Sequence, residues 1–220
     1  MNRKGIILAG GKGERLYPLT KVISKQLLPI FDKPAIYYPL STLMMAGVNE
    51  ILLITDSVSI PLFKRLLSNG SQWGIHIDYA IQEKPEGIAQ AILIAESFLN
   101  ESNSILILGD NLFFGNNLNS LFNKASSRAS GATIFAHQVK DPQRYGVPKI
   151  DKNGAIISIE EKPKIAPSNY AITGIYFFDK NVISYAKTIT KSSRGEFEIS
   201  DVNNIYISSK KMNLEKLGRG

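Results

Sequence analysis

The chain of 220 residues contains no cysteine, so disulfides, thiolate metal sites and cysteine nucleophiles are excluded together, and a reducing compartment fits. Histidine is nearly as scarce. His76 and His137 are the only 2, each alone in a strand-like stretch, where such a residue is packed or hydrogen-bonded rather than catalytic. No Ser-His-Asp or Cys-His arrangement is evident around a nucleophile. Long apolar runs are also missing: nothing approaches a membrane span, and the apolar stretch after Met1-Asn2-Arg3-Lys4 is too short for a signal-peptide core before glycines end it. Blocks of like charge are absent too. Lys and Arg number 26 against 19 Asp and Glu, a net charge of +7, but they are spread along the chain, so neither nucleic acid nor membrane binding is expected. Phosphorylated small molecules remain as the anionic partners, and the sequence reads as a soluble cytoplasmic protein.

What is present is enough apolar content, 44%, to bury one substantial core, which favours a single α/β domain. Short β-rich runs at 5–9, 51–55, 76–82, 104–108 and 132–137 alternate with amphipathic stretches at 36–46, 60–67 and 88–98. That alternation predicts a Rossmann-like, mostly parallel sheet flanked by helices, with right-handed crossovers. The pattern changes after Asp141. Strands at 147–150 and 155–160 flank Asp151-Lys152-Asn153-Gly154, a hairpin-turn signal, and a buried strand at 170–178 precedes helices at 182–187 and 199–208. Residues 1–140 are expected to form a nucleotide-binding part and 141–220 a sugar-binding part of one domain, the hairpin being an insertion for the sugar. The end, Leu217-Gly218-Arg219-Gly220, reads neither as a helix nor as a natural terminus.

The loop after the first strand carries Gly10, Gly11 and Gly13, then Arg15, with Lys25 ten residues further on. Glycines let backbone N–H groups approach a phosphate. A Walker A loop needs Gly-Lys-Ser/Thr, but Glu14-Arg15 follow Gly13; the dinucleotide fingerprint needs a third glycine where Leu16 stands. Neither fits. Open backbone with two cations suits a triphosphate, although a glycine-rich turn is also an ordinary tight connection. Asp110 follows Ile105-Leu106-Ile107-Leu108-Gly109, at a strand's C-terminal end where open α/β sheets bind ligands; a carboxylate there suits Mg²⁺, but aspartate after a strand is also an ordinary turn residue.

Gly5-Ile6-Ile7-Leu8-Ala9-Gly10-Gly11-Lys12-Gly13-Glu14-Arg15-Leu16-Tyr17-Pro18-Leu19-Thr20, then Ser24-Lys25-Gln26-Leu27-Leu28-Pro29 and Asp32-Lys33-Pro34, resemble the signature of sugar-1-phosphate nucleotidyltransferases. Gly70-Ser71-Gln72-Trp73-Gly74, Leu108-Gly109-Asp110-Asn111, Arg144-Tyr145-Gly146-Val147, Glu160-Glu161-Lys162-Pro163, Ser168-Asn169-Tyr170-Ala171 and Arg194-Gly195-Glu196 resemble its thymidylyl-transferring branch. The resemblance covers essentially the whole chain.

It implies transfer of a thymidylyl group from dTTP to glucose-1-phosphate, with Mg²⁺. The acceptor phosphate is already ionised, so positioning, cations and metal would do the work without a general base. By resemblance, Arg15, Lys25, Asp110 and Lys162 are the catalytic set and Asp110 the metal ligand. Gly10, Gly11, Gly13, Gln26, Gln82 and Gly87 belong to the nucleotide, the amides and Gly87 reading the pyrimidine edge. Asn111, Tyr145, Gly146, Glu161 and Ile172 belong to the sugar, with Lys162 on its phosphate. Read from residue types alone, 82–90 is equally a turn into a capped helix, and 160–163 equally a solvated hairpin end.

Two departures stand out. Pro148-Lys149-Ile150 follow Val147 where Val-Glu-Phe is usual, so this strand is expected at an edge or to begin after the proline. The family also carries a second metal-binding aspartate and C-terminal helices beyond the Gly-Arg-Gly that closes this sequence. A fragment or a truncated, catalytically weak nucleotide binder with impaired oligomerisation is therefore an alternative, as is a transferase using UTP or another hexose phosphate. Homo-oligomers, often tetramers, are what the resemblance implies for assembly.

Overall fold

The computed structural model describes residues 3–11 and 13–218; Met1-Asn2, Lys12 of the glycine-rich loop and the final Arg219-Gly220 lie outside the described residues. In chain order the elements are β1 (Lys4–Leu8), a small pair β2 (Pro29–Ile30) and β3 (Lys33–Pro34), α1 (Tyr37–Met45), β4 (Glu50–Thr55), α2 (Ile60–Leu67), β5 (His76–Ile81), α3 (Gln90–Ile94), α4 (Glu96–Leu99) and β6 (Ser104–Leu108). There follow α5 (Leu118–Ser126), β7 (Ala132–Gln138), β8 (Gly146–Ile150), β9 (Ile156–Glu161), β10 (Tyr170–Phe178), α6 (Val182–Ala186), α7 (Ile199–Ser208) and β11 (Met212–Lys216).

Seven strands form one sheet in the order β11-β7-β10-β6-β1-β4-β5, all parallel in sense except β10, which runs antiparallel to both β6 and β7. The mostly parallel α/β sheet inferred from the sequence is what the chain forms. Its inner strands are largely apolar on both faces because both are covered, whereas the edge strands β5 and β11 carry polar residues. Alternate residues face opposite sides. Ile6, Leu52, Leu106, Ile134, Tyr176 and Phe178 pack with Ile92, Leu99, Val182 and Tyr206 of α3, α4, α6 and α7. Ile7, Leu53, Ile105, Phe135 and Phe177 pack with Leu43, Phe63 and Phe122 of α1, α2 and α5. Phe122 is fully buried with Phe135 edge-on at 5.4 Å, a pair worth about 0.5–1.5 kcal/mol beyond its burial. Both β10 and β11 come from the sequence after Asp141 yet complete the same sheet as β1.

Helix α2 is as expected, for local reasons. Asp56 accepts from the Ser59 backbone N–H (2.8 Å) and hydroxyl (2.8 Å), Pro61 opens the first turn, and Lys64 and Arg65 lie in the last, where cations favour the helix dipole. The stretch expected as one helix over 88–98 is instead two short helices. Ala89 donates its N–H to the Phe197 carbonyl (3.2 Å) and so starts the first late, and the backbone leaves helical geometry at Ala95. Helix α5, strand β11 and the β2–β3 pair lie where the sequence pattern predicts no element.

The β8–β9 hairpin forms its own two-stranded sheet, held by α7. Asn204 accepts from the Ile159 N–H (2.8 Å) and donates to the Ile159 carbonyl (2.9 Å), acting as one residue of a neighbouring strand. That geometry explains Pro148. It stands opposite Ile159, whose polar groups both turn towards Asn204, so the pair is a non-hydrogen-bonded one and the missing proline N–H breaks no ladder bond. The strand starts before the proline and bonds only β9, which makes it an edge. Among the described residues no helix is long and apolar enough to cross a membrane.

Candidate functional site

The chain leaves β1 for β4 on one side of it and returns to β6 on the other, so β1 and β6 flank the topological switch, and open α/β sheets bind ligands in the crevice beyond those strand ends. Most of the residues singled out from the sequence come together here. Ala9 and Gly10 leave β1 with their carbonyls tied inward, Ala9 by the Thr55 hydroxyl (3.0 Å) and Gly10 by the Gln26 amide (3.3 Å). The N–H groups of Gly10, Gly11 and Gly13 have no hydrogen-bond partner among the described residues, which leaves donors for an anion. Arg15 sits exposed in a one-turn helix at Glu14–Leu16, and Lys25 opens another at Lys25–Leu27.

Lys25 reaches across the crevice to Asp110, Nζ to Oδ2 2.5 Å, joining the loop after β1 to the end of β6. Gly109 makes this approach possible, because a Cβ there would stand 3.1 Å from Ala9 Cα. Asp110 is a single carboxylate: among the described residues no group of three or more His, Cys, Asp or Glu side chains could hold a metal. One carboxylate still fits Mg²⁺, which keeps several waters and shares substrate phosphate oxygens instead of demanding a full protein cage.

The two glutamines are buried, at 1% (Gln26) and 5% (Gln82) exposed. Gln26 accepts from the Ser24 hydroxyl (2.5 Å), and Gln82 donates to Gln90 (2.7 Å), at the start of α3. Gly87 needs to be glycine. Its φ is 106°, and a Cβ would drive into the Phe197 backbone, which is paired to this turn through the Glu86 carbonyl (2.7 Å) and the Ala89 N–H (3.2 Å).

Beyond Asp110 opens a cavity of about 450 Å³. Asn111, Tyr145, Gly146, Glu161, Lys162 and Ile172 all line it; the glycine loop, Arg15, Lys25, Asp110, Gln26, Gln82 and Gly87 do not. The two groups meet where Asp110 adjoins Asn111 and Gly87 adjoins Ile88. A bulge in β10 shapes the floor: Ile172 pairs with Ala136 and Tyr176 with Ile134, leaving Thr173, Gly174 and Ile175 opposite Phe135 alone. The bulge puts Gly174 against the Asn111 side-chain amide, in the place a Cβ would need. Glu161 is steadied by the Ser200 hydroxyl (2.6 Å), and the Lys162 N–H donates to the Tyr145 carbonyl (3.0 Å), which sets the hairpin end against the preceding loop. Burial first, then the Glu161 charge, pushes the Tyr176 phenol well up from its ordinary range, so it stays a neutral hydroxyl beside the cavity.

In the sequence Arg194 stands only within the Arg194-Gly195-Glu196 motif. In the fold it lines the same cavity, 3.0 Å from Glu196, 3.3 Å from Glu198 and 3.7 Å from Glu161. Three carboxylates thus hold one guanidinium in the cavity that Lys162 also lines. His137, expected to be merely packed, also lines the cavity, whereas His76 is surface-exposed and hydrogen-bonds Asp78 at 3.2 Å. Ser200, Gly174 and Gln90 carried no signal, since their significance lies in what the fold brings beside them.

The nucleotidyl transferase family model matches residues 4–220. The chain is 52% identical over 218 residues to the glucose-1-phosphate thymidylyltransferase of Xanthomonas campestris pv. campestris, covering 99% of this chain and 74% of that protein. It is 50% identical over 217 residues to the enzyme of that name from Neisseria meningitidis, covering 99% of this chain and 75% of that protein. A crystal structure of a Bacillus anthracis protein assigned as a glucose-1-phosphate thymidylyltransferase, in complex with sucrose, superposes with a TM-score of 0.91 at 39% identity, covering 98% of this chain and 87% of that one.

Proposed function

The chain belongs to the nucleotidyl transferase family, and from that premise we propose that it transfers a thymidylyl group from dTTP to glucose-1-phosphate, releasing dTDP-glucose and pyrophosphate. The observation that carries this reading is the Lys25–Asp110 contact of 2.5 Å, a cation and a candidate metal ligand side by side between the glycine loop and the sugar-side cavity.

The dTTP triphosphate lies on the backbone N–H groups of Gly10, Gly11 and Gly13, with Arg15 and Lys25 as its cations. Gln26, Gln82 and the Gly87 backbone face the base. Glucose-1-phosphate enters the cavity with its hydroxyls towards Asn111, Tyr145, Gly146, Glu161 and the Ile172 backbone, and with its phosphate towards Lys162 and Arg194. A phosphate oxygen of the sugar attacks the α-phosphorus, and the bond to the bridging oxygen of the β-phosphate breaks as pyrophosphate departs in line. The attacking oxygen carries no proton at neutral pH, so the absence of a general base is consistent with the chemistry. The barrier is the approach of two anions, lowered by fixed cations and by holding both reactants in one orientation. Asp110 would hold Mg²⁺, which when bound adds positive charge at the phosphate oxygens. In this reading residues 1–140 serve mainly the nucleotide and 141–220 mainly the sugar, with Asn111 reaching from the first part to the sugar.

The test is pyrophosphate release from glucose-1-phosphate with dTTP, UTP and dCTP in parallel. Release with dTTP in preference to dCTP, dependent on Mg²⁺, is expected; no release with any nucleoside triphosphate would refute the proposal.

A further inference from the structure

A primary amide is nearly the same shape at both ends but opposite in hydrogen-bonding sense. A glutamine that reads a base is therefore useful only if something prevents it from turning over. Gln82 has such a restraint. Its Nε2 donates to Gln90 Oε1 at 2.7 Å, and Gln90 is itself fixed by two partners that cannot change roles. The Glu86 backbone N–H, only a donor, gives its proton to Gln90 Oε1 (3.1 Å), and the Glu86 carboxylate, only an acceptor, takes one from Gln90 Nε2 (3.3 Å). Turning Gln90 over would set donor against donor and acceptor against acceptor. Glu86 is anchored in turn by Lys191, Nζ to Oε1 2.7 Å, and by the Phe197 N–H on its carbonyl (2.7 Å).

The consequence lies at Gln82. With Nε2 committed to Gln90, its oxygen is turned to the glycine loop, where it stands 2.6 Å from the place a Gly10 Cβ would take. The free end of the amide is then an acceptor.

From this chain of contacts we infer that Gln90 is the positioning residue for nucleobase selection, holding Gln82 with its oxygen towards the glycine loop so that the site accepts a pyrimidine carrying an N3–H, as thymine and uracil do, and rejects cytosine, whose N3 is an acceptor. The inference rests on the reading of Gln82 as base-facing. Gln90 does not need to touch the base; it acts through Gln82, and the rejection is a clash of two acceptors. It also ties base recognition to the segment around Lys191–Phe197, the one that brings Arg194 to the cavity.

The experiment is isothermal titration of the full chain with dTTP, UTP and dCTP, for the parent, Gln90→Met, the double variant Glu86→Gln with Gln90→Glu, and Gln82→Met, with a thermal melt of each. Gln90→Met frees the Gln82 amide; dTTP and UTP should each weaken about tenfold while dCTP stays constant or tightens. The exchange Glu86→Gln with Gln90→Glu keeps an acceptor towards Gln82 Nε2 and a donor–acceptor contact between the two side chains, and should retain the preference for dTTP over dCTP. Equal weakening of all three nucleotides in Gln90→Met, or an unchanged preference, would overturn the positioning role. Gln82→Met separates the two claims. If it leaves dTTP affinity unchanged, Gln82 does not read the base and the underlying reading fails; if it weakens dTTP while Gln90→Met does not, only the role of Gln90 fails.

Discussion

Lys25 Nζ and Asp110 Oδ2 lie 2.5 Å apart with their side chains 25% and 41% exposed, one on the loop after β1 and the other at the end of β6. An ion pair this open contributes only about 0–1 kcal/mol to folding, so removing it should alter chemistry far more than stability. For Lys25→Ala, turnover is expected to fall by about 100-fold or more, the usual cost of deleting a fixed charge at a reacting phosphate. The melting temperature should move by no more than about 4 °C. Steady-state pyrophosphate release and a thermal melt on the same preparation decide the matter. A large drop in melting temperature with near-normal turnover in the surviving fraction would make the pair structural.

Asp110→Asn keeps the shape and removes the charge. Its effect should be specific to the metal: the Mg²⁺ dependence of turnover disappears into a low background, and Mn²⁺ titrated in the presence of dTTP, followed by electron paramagnetic resonance, binds more weakly than to the parent. Equal Mn²⁺ affinity in both proteins would remove Asp110 from the metal site.

Gly174 occupies the bulge of β10 against the Asn111 amide and Leu108. A methyl group here pushes Asn111 into the cavity without reaching the glycine loop. Gly174→Ala is thus expected to raise KM for glucose-1-phosphate by about tenfold, since small misplacements of a positioning group are costly, while KM for dTTP stays within about twofold. Equal increases in both would mean that the substitution disturbs the sheet generally.

Arg3 is a structural counterpart to these residues. Only 4% exposed, it donates to the carbonyls of Ser104 (3.3 Å), Ala125 (3.4 Å), Ser126 (3.4 Å), Arg128 (2.7 Å) and Phe178 (2.7 Å), binding the C-terminal end of α5 to β6 and β10. Burial lowers its pKa from the ordinary guanidinium value, and the charge of Asp179 works against that shift. Arg3→Met leaves several buried carbonyls without donors, a loss of about 3 kcal/mol or more. Urea unfolding should show it as a lower midpoint at unchanged slope, with turnover at low temperature retained.

Much of this was legible in the chain because the signals are local. Alternating apolar runs gave β6, β10, α2 and α7 nearly to the residue, and the glycine loop, Lys25 and Asp110 are ordered along the sequence in a recognisable motif. Other features depend on long-range partners. Strand β11 is five residues of mixed polarity whose pairing with β7 no local pattern announces. Ser200 and Asn204 look like ordinary helix residues until α7 lies beside the hairpin, where one steadies Glu161 and the other completes Ile159. Gln90 gains significance only when the turn after β5 folds against Phe197. Pro148 is the instructive intermediate: the sequence indicated an edge, but only the Asn204 contacts explain how the strand can start before the proline.

The docking of β11 also sets a pH dependence. Glu215 receives Arg128 at 2.7 Å and Lys124 at 3.0 Å, joining β11 to the end of α5. Burial opposes its charged form, but the hydrogen bonds from Arg128 and Lys124 and their charges outweigh burial, so its pKa lies below the ordinary value. A carboxylate with a depressed folded pKa binds fewer protons folded than unfolded. Its stabilisation is therefore complete above the unfolded value, about 4.3, and is lost as pH falls through the lower folded value. Glu215→Gln should accordingly unfold at lower urea than the parent at pH 7, and the gap should narrow only below about pH 4. A gap that stays constant down to about pH 3 would show that the substitution acts through packing and not through the carboxylate charge.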